Sequence, residues 1–319
     1  MAGGGVGASA ATTIPEAPLR SGKPMPLVGM GTASFPFDAP QMPTTVRDAV
    51  LRAIDAGYRH FDTAAVYGTE APLGEAVLEA ARAGMVVSRD ELYITSKLWI
   101  ADAHPGRVLP ALRRTLRNLQ MNYIDLYLIH WPISLRVEQE TPSPVYDKDD
   151  FVMMDMEGVW KEMEECQRLG LTKAIGVSNF TCKKLNTLLS FATIPPAANQ
   201  NKLREFCKEK GIQICAYSPL GGSGTIWGSN AVLDCPLLKY IAVQRGKTVA
   251  QVCLRWLYEQ GDCVIVKSFN ERRLRENLEI FDWELTDADR KEISALPEFR
   301  GCRDFYVHES GPYKTTYEF

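Results

Sequence analysis

The chain has 319 residues, 45% hydrophobic and 24% charged, enough for one large core or two ordinary domains. Its net charge of -3 and pI near 5.9 exclude the clustered basic excess of a nucleic-acid-binding surface. No apolar run reaches the ~18 residues that a membrane span requires. The opening MAGGGVGASAATTIPEAP is built of small residues. It lacks the basic and apolar regions of a secretory signal, and no arginine precedes Arg20. Residues 1–20 are therefore expected as a flexible arm and residues 21–319 as one domain. The eight cysteines, at 166, 182, 207, 215, 235, 253, 263 and 302, are scattered singly. That usage fits buried thiols in a reducing, cytoplasmic setting better than a disulfide framework. With four histidines and no metal-ligand spacing, no metal is expected.

Short apolar runs alternate with helical patterns, the signature of βα units around a parallel sheet. PLVGMGT is the first strand. In TTVRDAVLRAIDAG, Val46, Val50 and Ile54 share a helical face, and Gly57 is the stop. YRHFDT is the second strand, followed by the helix EAPLGEAVLEAARAG with Pro72 in its first turn. DELYITSKLW is the third strand, followed by a helix ending at Leu119 whose inner stripe is Val108, Leu112, Thr115 and Leu119. YIDLYLIHWP is the fourth strand and, after the helix MEGVWKEMEECQRLG, TKAIGVSNF is the fifth. GIQICAYSPLG and DCVIVKSF are the seventh and eighth, separated by helices that include TVAQVCLRWLYEQG. The series predicts a single (β/α)8 TIM-type barrel. Two long connections, Ser134 to Met154 and Gly221 to Leu233, leave the C-terminal ends of strands, and long loops in compact domains tend to be functional. The tail from Pro297 carries Phe299, Phe305, Tyr306 and Tyr313.

Four residues stand at or just beyond strand ends, where barrel enzymes place their chemistry: Asp62, Tyr67, Lys97 and His130. Lys97 can lower the pKa of the Tyr67 phenol, which is about 10 when free. Asp62 can hold Lys97 charged and oriented, and His130 can aim a carbonyl oxygen at the phenol. Such a unit delivers a proton to that oxygen while a hydride arrives at carbon.

These residues, their order and their spacing resemble the aldo-keto reductase family over about Pro26 to Trp283. Segments such as GTASFPF, RNLQMNYIDLYLIHWP and QVCLRWLYEQGDCVIVKSF are most similar to its plant branch. The resemblance implies an enzyme that reduces a small-molecule carbonyl, aldehyde or ketone, with NADPH, as a monomer without membrane or nucleic-acid partners. It implies a catalytic tetrad of Asp62, Tyr67, Lys97 and His130, with His130 and Trp131 against substrate and the C-terminal tail over the pocket. It also implies a nicotinamide cradle of Ser178, Asn179, Gln200 and Tyr217, with Gly31, Thr32, Asp62, Ser218 and Leu220 lining the cofactor. Ser178 and Asn179 also read as a helix N-cap, a role that can hold together with the first. In KSFNERRLRENLEIFDW, the resemblance assigns Lys267, Ser268, Phe269, Arg273, Glu276 and Asn277 to the 2'-phosphate and adenine. Lysine and arginine beside a hydroxyl suit a phosphate monoester, whereas ERRLRE also reads as a solvated helix face. No GxGxxG follows a strand, which argues against a Rossmann domain.

One departure stands out. Asn199-Gln200 runs straight into NKLREFCKEKG, a helical pattern, where the family continues strand and loop for roughly nine more residues. About 5 residues of strand and 2 to 6 of loop are typical. A shortened sixth strand threatens to leave neighbouring backbone groups unpaired at about 1–3 kcal/mol each, unless the helix unwinds at its start and yields residues to the strand. The alternative reading is therefore a catalytically impaired nucleotide-binding protein on the same barrel.

Overall fold

The computed structural model describes residues 13–34, 41–136, 150–200, 203–222 and 229–297. Residues 298–319 of the C-terminal tail, with Cys302, residues 137–149 of the first long connection and residues 223–228 of the second lie outside them. Eight parallel strands close a barrel: β1 (Val28–Gly31), β2 (His60–Asp62), β3 (Tyr93–Leu98), β4 (Ile124–Ile129), β5 (Thr172–Ser178), β6 (Ala198–Gln200), β7 (Gln213–Tyr217) and β8 (Cys263–Val266). They neighbour one another in chain order, and β8 pairs with β1 to complete the ring.

The surrounding helices are α1 (Met42–Ala56), α2 (Glu70–Arg82), α3 (Val108–Leu119), α4 (Met156–Arg168), α5 (Cys182–Leu189), α6 (Arg204–Glu209), α7 (Ala231–Asp234), α8 (Pro236–Arg245), α9 (Val249–Glu259), α10 (Glu271–Glu276) and α11 (Asp287–Ser294). Each long helix buries the stripe that its 3.6-residue period sets. In α1 that stripe includes Val46, Val50 and Ile54; in α3 it is Val108, Ala111, Leu112, Thr115, Leu116 and Leu119. Start signals act locally: Thr248 opens α9 and Thr286 opens α11 with reciprocal capping boxes. Gly57 ends α1 at a φ of 109°, conformational space that a side chain would resist.

The barrel interior is a packed core. Met25, Tyr93, Leu126, Leu128, Ala174, Ala198, Cys215, Cys263 and Ile265 fill it, so only the strand ends remain for chemistry. Met25 reaches that core from an antiparallel pairing, Glu16 with Pro26 and Ala17 with Met25. Within residues 13–20 of the expected arm, Ile14 and Ala17 are buried. The first long connection is likewise built at both ends, Ser134–Leu135 pairing antiparallel with Phe151–Val152.

The sixth strand is as short as expected, yet the barrel closes. Asn199 pairs with Val177 on β5 and with Ile214 on β7, and Gln200 pairs with Ser178. Just outside the strand, the Ala197 N–H donates to Ile175 O (2.8 Å), Gln213 N–H to Ala197 O (2.9 Å) and Asn179 N–H to Gln200 O (3.2 Å). Ladder groups of the neighbours are thus satisfied by four consecutive residues. Two local features permit it. Gly176 has no side chain, and a Cβ there would lie 2.5 Å from Ala198 O. The following helix starts only at Arg204, with Leu203 outside it; the pattern beginning at Asn201 overstated its length.

Candidate active site

Asp62 ends β2, Lys97 is the penultimate residue of β3, and His130 follows β4 directly. Tyr67 lies one short 3-10 turn beyond β2, in Ala65–Tyr67, and Gly68 at a φ of 66° turns the chain into α2. The four expected residues therefore converge at the C-terminal end of the barrel. Lys97 Nζ donates to Asp62 Oδ1 at 2.5 Å and to Thr63 O at 2.9 Å. Side-chain exposure of this ion pair is 1% for Lys97 and 6% for Asp62. A pair so dry must be fully hydrogen-bonded to be tolerated. Gln200 Nε2 provides the remaining bond, donating to Asp62 Oδ2 at 2.6 Å from the opposite side of the barrel.

Tyr67 Oη and His130 Nε2 are 3.4 Å apart, their rings packed edge to face with centroids 5.6 Å apart. Trp99 packs edge-on against the other side of His130 at 5.2 Å. Burial, reinforced by the Lys97 charge, holds the His130 pKa well below the ordinary histidine value, so the ring is neutral at physiological pH. Its buried Nδ1 has no hydrogen-bond partner among the described residues. A proton there would be a stranded donor, which costs more than an unused acceptor. The favoured tautomer on that argument carries its proton on Nε2, facing Tyr67 and the pocket.

The expected lowering of the Tyr67 pKa is not found. Burial first, and then the negative charge of Asp62, push the phenol well above its ordinary value. Lys97 Nζ stands 5.2 Å over the Tyr67 ring centroid, and its charge is matched by Asp62. The phenol is therefore protonated and available as a donor.

On the β5–β7 side, polar side chains form a chain of contacts. Tyr217 Oη donates to Asn179 Oδ1 (2.9 Å); Asn179 Nδ2 donates to His130 O (2.9 Å) and Ser178 Oγ (3.1 Å); Ser178 Oγ donates to Gln200 Oε1 (3.5 Å). Asn179 and Ser218 hold positive φ values of 62° and 47°, strained backbone of a kind that gathers at functional sites. The N-cap alternative for Ser178 and Asn179 fails: Thr181 caps α5, accepting from Lys184 N–H. Tyr217, the last residue of β7, is 41% exposed. Leu220 packs against the core beside it.

Across the ring, Gly31 lies beside Ile265 and the Lys267 stem, and a side chain there would press on Ile265. Thr32 is buried behind it. Ser268 Oγ accepts from Asn270 N–H at 3.2 Å, and Lys267 Nζ lies 5.2 Å from the Phe269 ring. On α10, Arg272 pairs with Glu276, and Arg275 with Asp55 and Glu271. Among the described residues Lys267 and Arg273 enter no ion pair. Asn277 is buried beside Tyr58, on the inner side of this group.

Residues 27–298 match the aldo/keto reductase family. The chain belongs to the aldo/keto reductase family. With it, the chain belongs to the NADP-dependent oxidoreductases. It is 61% identical over 306 residues to deoxymugineic acid synthase 1-D of Triticum aestivum, covering 92% of this chain and 95% of that one. It is 58% identical over 325 residues to deoxymugineic acid synthase 1 of Oryza sativa subsp. japonica, covering 99% and 97%. To the (1S)-1,7-diacetoxy-luvungin A aldo-keto reductase of Citrus sinensis it is 54% identical, covering 96% and 98%. A crystal structure of a Bombyx mori aldo-keto reductase in complex with NADP superposes with a TM-score of 0.79 at 36% identity, covering 89% and 92%.

For a member of this family, the donor set suits a dinucleotide phosphate: amide and hydroxyl groups at the β5–β6 ends, a part-exposed tyrosine at β7, and after β8 two cations, Lys267 and Arg273, that enter no ion pair among the described residues. Sequence reasoning missed Trp99, although it directly follows the LYITSKL run, because an aromatic at a strand end reads as packing. It also missed the hydroxyls of Thr63 and Thr69, which carry no pattern of their own.

Proposed function

We propose that this chain is an NADPH-dependent carbonyl reductase in which Tyr67 is the general acid. The observation that carries the reading is the Tyr67–His130 pair, 3.4 Å apart, beside the buried Asp62–Lys97 ion pair at the barrel's C-terminal end. NADPH, when bound, supplies the hydride for the carbonyl carbon. His130, neutral and protonated on Nε2, donates a hydrogen bond that orients the carbonyl oxygen, with Trp131 beside it. Tyr67, protonated in the resting protein, transfers its proton to that oxygen as it gains charge, giving the alcohol. Lys97 Nζ stands over the phenol ring, and Asp62 keeps it in place.

Ser178, Asn179 and Gln200 would hold the nicotinamide carboxamide and Tyr217 its ring face, with Gly31, Thr32, Ser218 and Leu220 around it. Lys267, Ser268 and Arg273 would hold the 2'-phosphate, and Phe269, Glu276 and Asn277 the adenine end. Holding the ring in one orientation supplies much of the catalysis. Gln200 must then share its amide between Asp62 and the cofactor.

Within the carbonyl class, the substrate proposed is the 3''-oxo acid precursor of deoxymugineic acid. Its support is the 61% and 58% identity to proteins of that name along almost their whole lengths. We place the enzyme in the cytoplasm as a monomer; among the described residues no helix is long and apolar enough to cross a membrane. The test is NADPH oxidation by the purified protein with that oxo acid and a panel of aldehydes and ketones. Turnover of the oxo acid well above the panel is the expected result. Tight NADPH binding without turnover of any carbonyl would replace this reading with a nucleotide-binding protein.

A further inference from the structure

Thr69 immediately precedes α2, the position where a threonine hydroxyl ordinarily caps the helix. Here it makes no cap bond. Its Oγ1 lies 2.8 Å from Thr32 Oγ1 and 2.9 Å from Thr63 Oγ1, and all three residues are fully buried. Thr32 Oγ1 also reaches Asp62 O at 3.2 Å. Each hydroxyl has one proton, and a carbonyl can only accept. The proton of Thr32 goes to Asp62 O, so Thr69 must donate to Thr32 and Thr63 must donate to Thr69. The result is a one-way chain, Thr63 to Thr69 to Thr32 to the Asp62 carbonyl, in which every proton is used.

The chain sits at the neck of the loop that carries Tyr67. Thr63 and Thr69 bracket that loop, and the Thr63–Thr69 bond closes it at its base. Within it, Tyr67 N–H donates to Ala64 O at 3.0 Å. The Thr63 carbonyl is the second acceptor of Lys97 Nζ, and the Thr63 N–H is held by Thr95 O at 2.9 Å. The next residue, Glu70, accepts from Ser96 Oγ (2.7 Å) and Asn118 Nδ2 (2.9 Å). It ties the start of α2 to β3 and α3, so the Thr69 hydroxyl is spent sideways on the loop.

We propose that Thr69 is a positioning residue: through Thr63 and Thr32 it staples the Tyr67 loop to the Asp62–Lys97 pair and fixes the phenol against His130. The proposal rests on the reading of Tyr67 as the acid. Thr69→Val keeps the shape and removes the hydroxyl; Thr69→Ser restores it. Misplacing a reacting group by ~1 Å costs up to about 10²-fold in rate. Thr69→Val should therefore lower kcat by about tenfold or more, with carbonyl KM and NADPH Kd within about twofold. Thr69→Ser should return kcat to within about threefold. A second readout needs no turnover: amide hydrogen exchange over residues 64–69 should quicken at least about tenfold in Thr69→Val and stay near wild type in Thr69→Ser. Should Thr69→Val not fold, Thr63→Val breaks the same chain at its first link and is read by the same two measurements. Wild-type kcat and exchange in Thr69→Val, or a Thr69→Ser variant as impaired as Thr69→Val, would overturn the staple. Inactivity of the wild type would instead strike the reductase reading, leaving exchange to decide whether the loop is stapled.

Discussion

The two halves of the barrel mouth are built differently. On the β2–β4 side, six-residue β3 and β4 carry Lys97 and lead into His130, and each polar group of the Asp62–Lys97 pair has named partners. On the β5–β7 side, β6 is three residues long, and its polar side chains bond mainly to one another and back across the barrel. The first half is held from several directions. The second depends on a few backbone bonds around Ala197 and the absence of a side chain at Gly176. The contrast predicts that damage to the first half removes chemistry or breaks its dry ion pair, whereas damage to the second removes cofactor binding or the closure of the barrel.

The largest effect should come from Tyr67→Phe. Removing a general acid costs about 10²–10⁴-fold, so carbonyl reduction should collapse while NADPH titration stays within about twofold of wild type. A mutant with near-normal kcat would unseat the assignment. Next is Lys97→Met, which strands Asp62 in a dry site. A buried pair broken from one side costs about 3–5 kcal/mol, read as a lower urea midpoint at pH 7; an unchanged midpoint would mean that the pair is solvated.

On the other half, Gly176→Val would drive a side chain into the Ala198 carbonyl. A loss of about 2–4 kcal/mol, the range of overpacking with a backbone shift, is expected in thermal or urea unfolding. Gln200→Ala should weaken NADPH binding by about tenfold, the worth of one charge-free hydrogen-bonding side chain, and a calorimetric Kd matching wild type would remove Gln200 from the cradle.

The most gradual effect concerns pH. Burial holds His60 and His130 below the ordinary histidine pKa. Below about pH 6.5, the unfolded chain takes up protons that the folded chain refuses, so stability is complete above that pH and is lost as pH falls. Each histidine contributes a slope of about 1.4 kcal/mol per pH unit. Urea unfolding at pH 7.5, 6 and 5 should reveal this slope, and a flat profile would mean that the rings are solvated or charged when folded.

Most of the barrel was legible because parallel strands buried on both faces read as continuous apolar runs, and helices announce themselves by period and caps. The meeting of Asp62, Tyr67, Lys97 and His130 was legible because each lies near or just beyond the end of such a run. Three things were not. The closure of β6 depends on bonds from Ala197 and on Gly176, neither of which has a local signature. The pairing of Glu16–Ala17 with Met25–Pro26 hides in two-residue strands within a polar opening. The direction of the Tyr67 pKa turns on burial and on Asp62 neutralising Lys97, tertiary facts that a residue's neighbours in sequence do not carry.

A barrel with a three-residue sixth strand is expected to form a working reductase. NADPH fluorescence titration of the purified protein, followed in the same cuvette by a generic aldehyde, tests it most directly. Saturable NADPH binding and then loss of NADPH on adding the aldehyde is the predicted result. Absence of binding would contradict the account, because it would mean that the four residues at β6 do not complete the site.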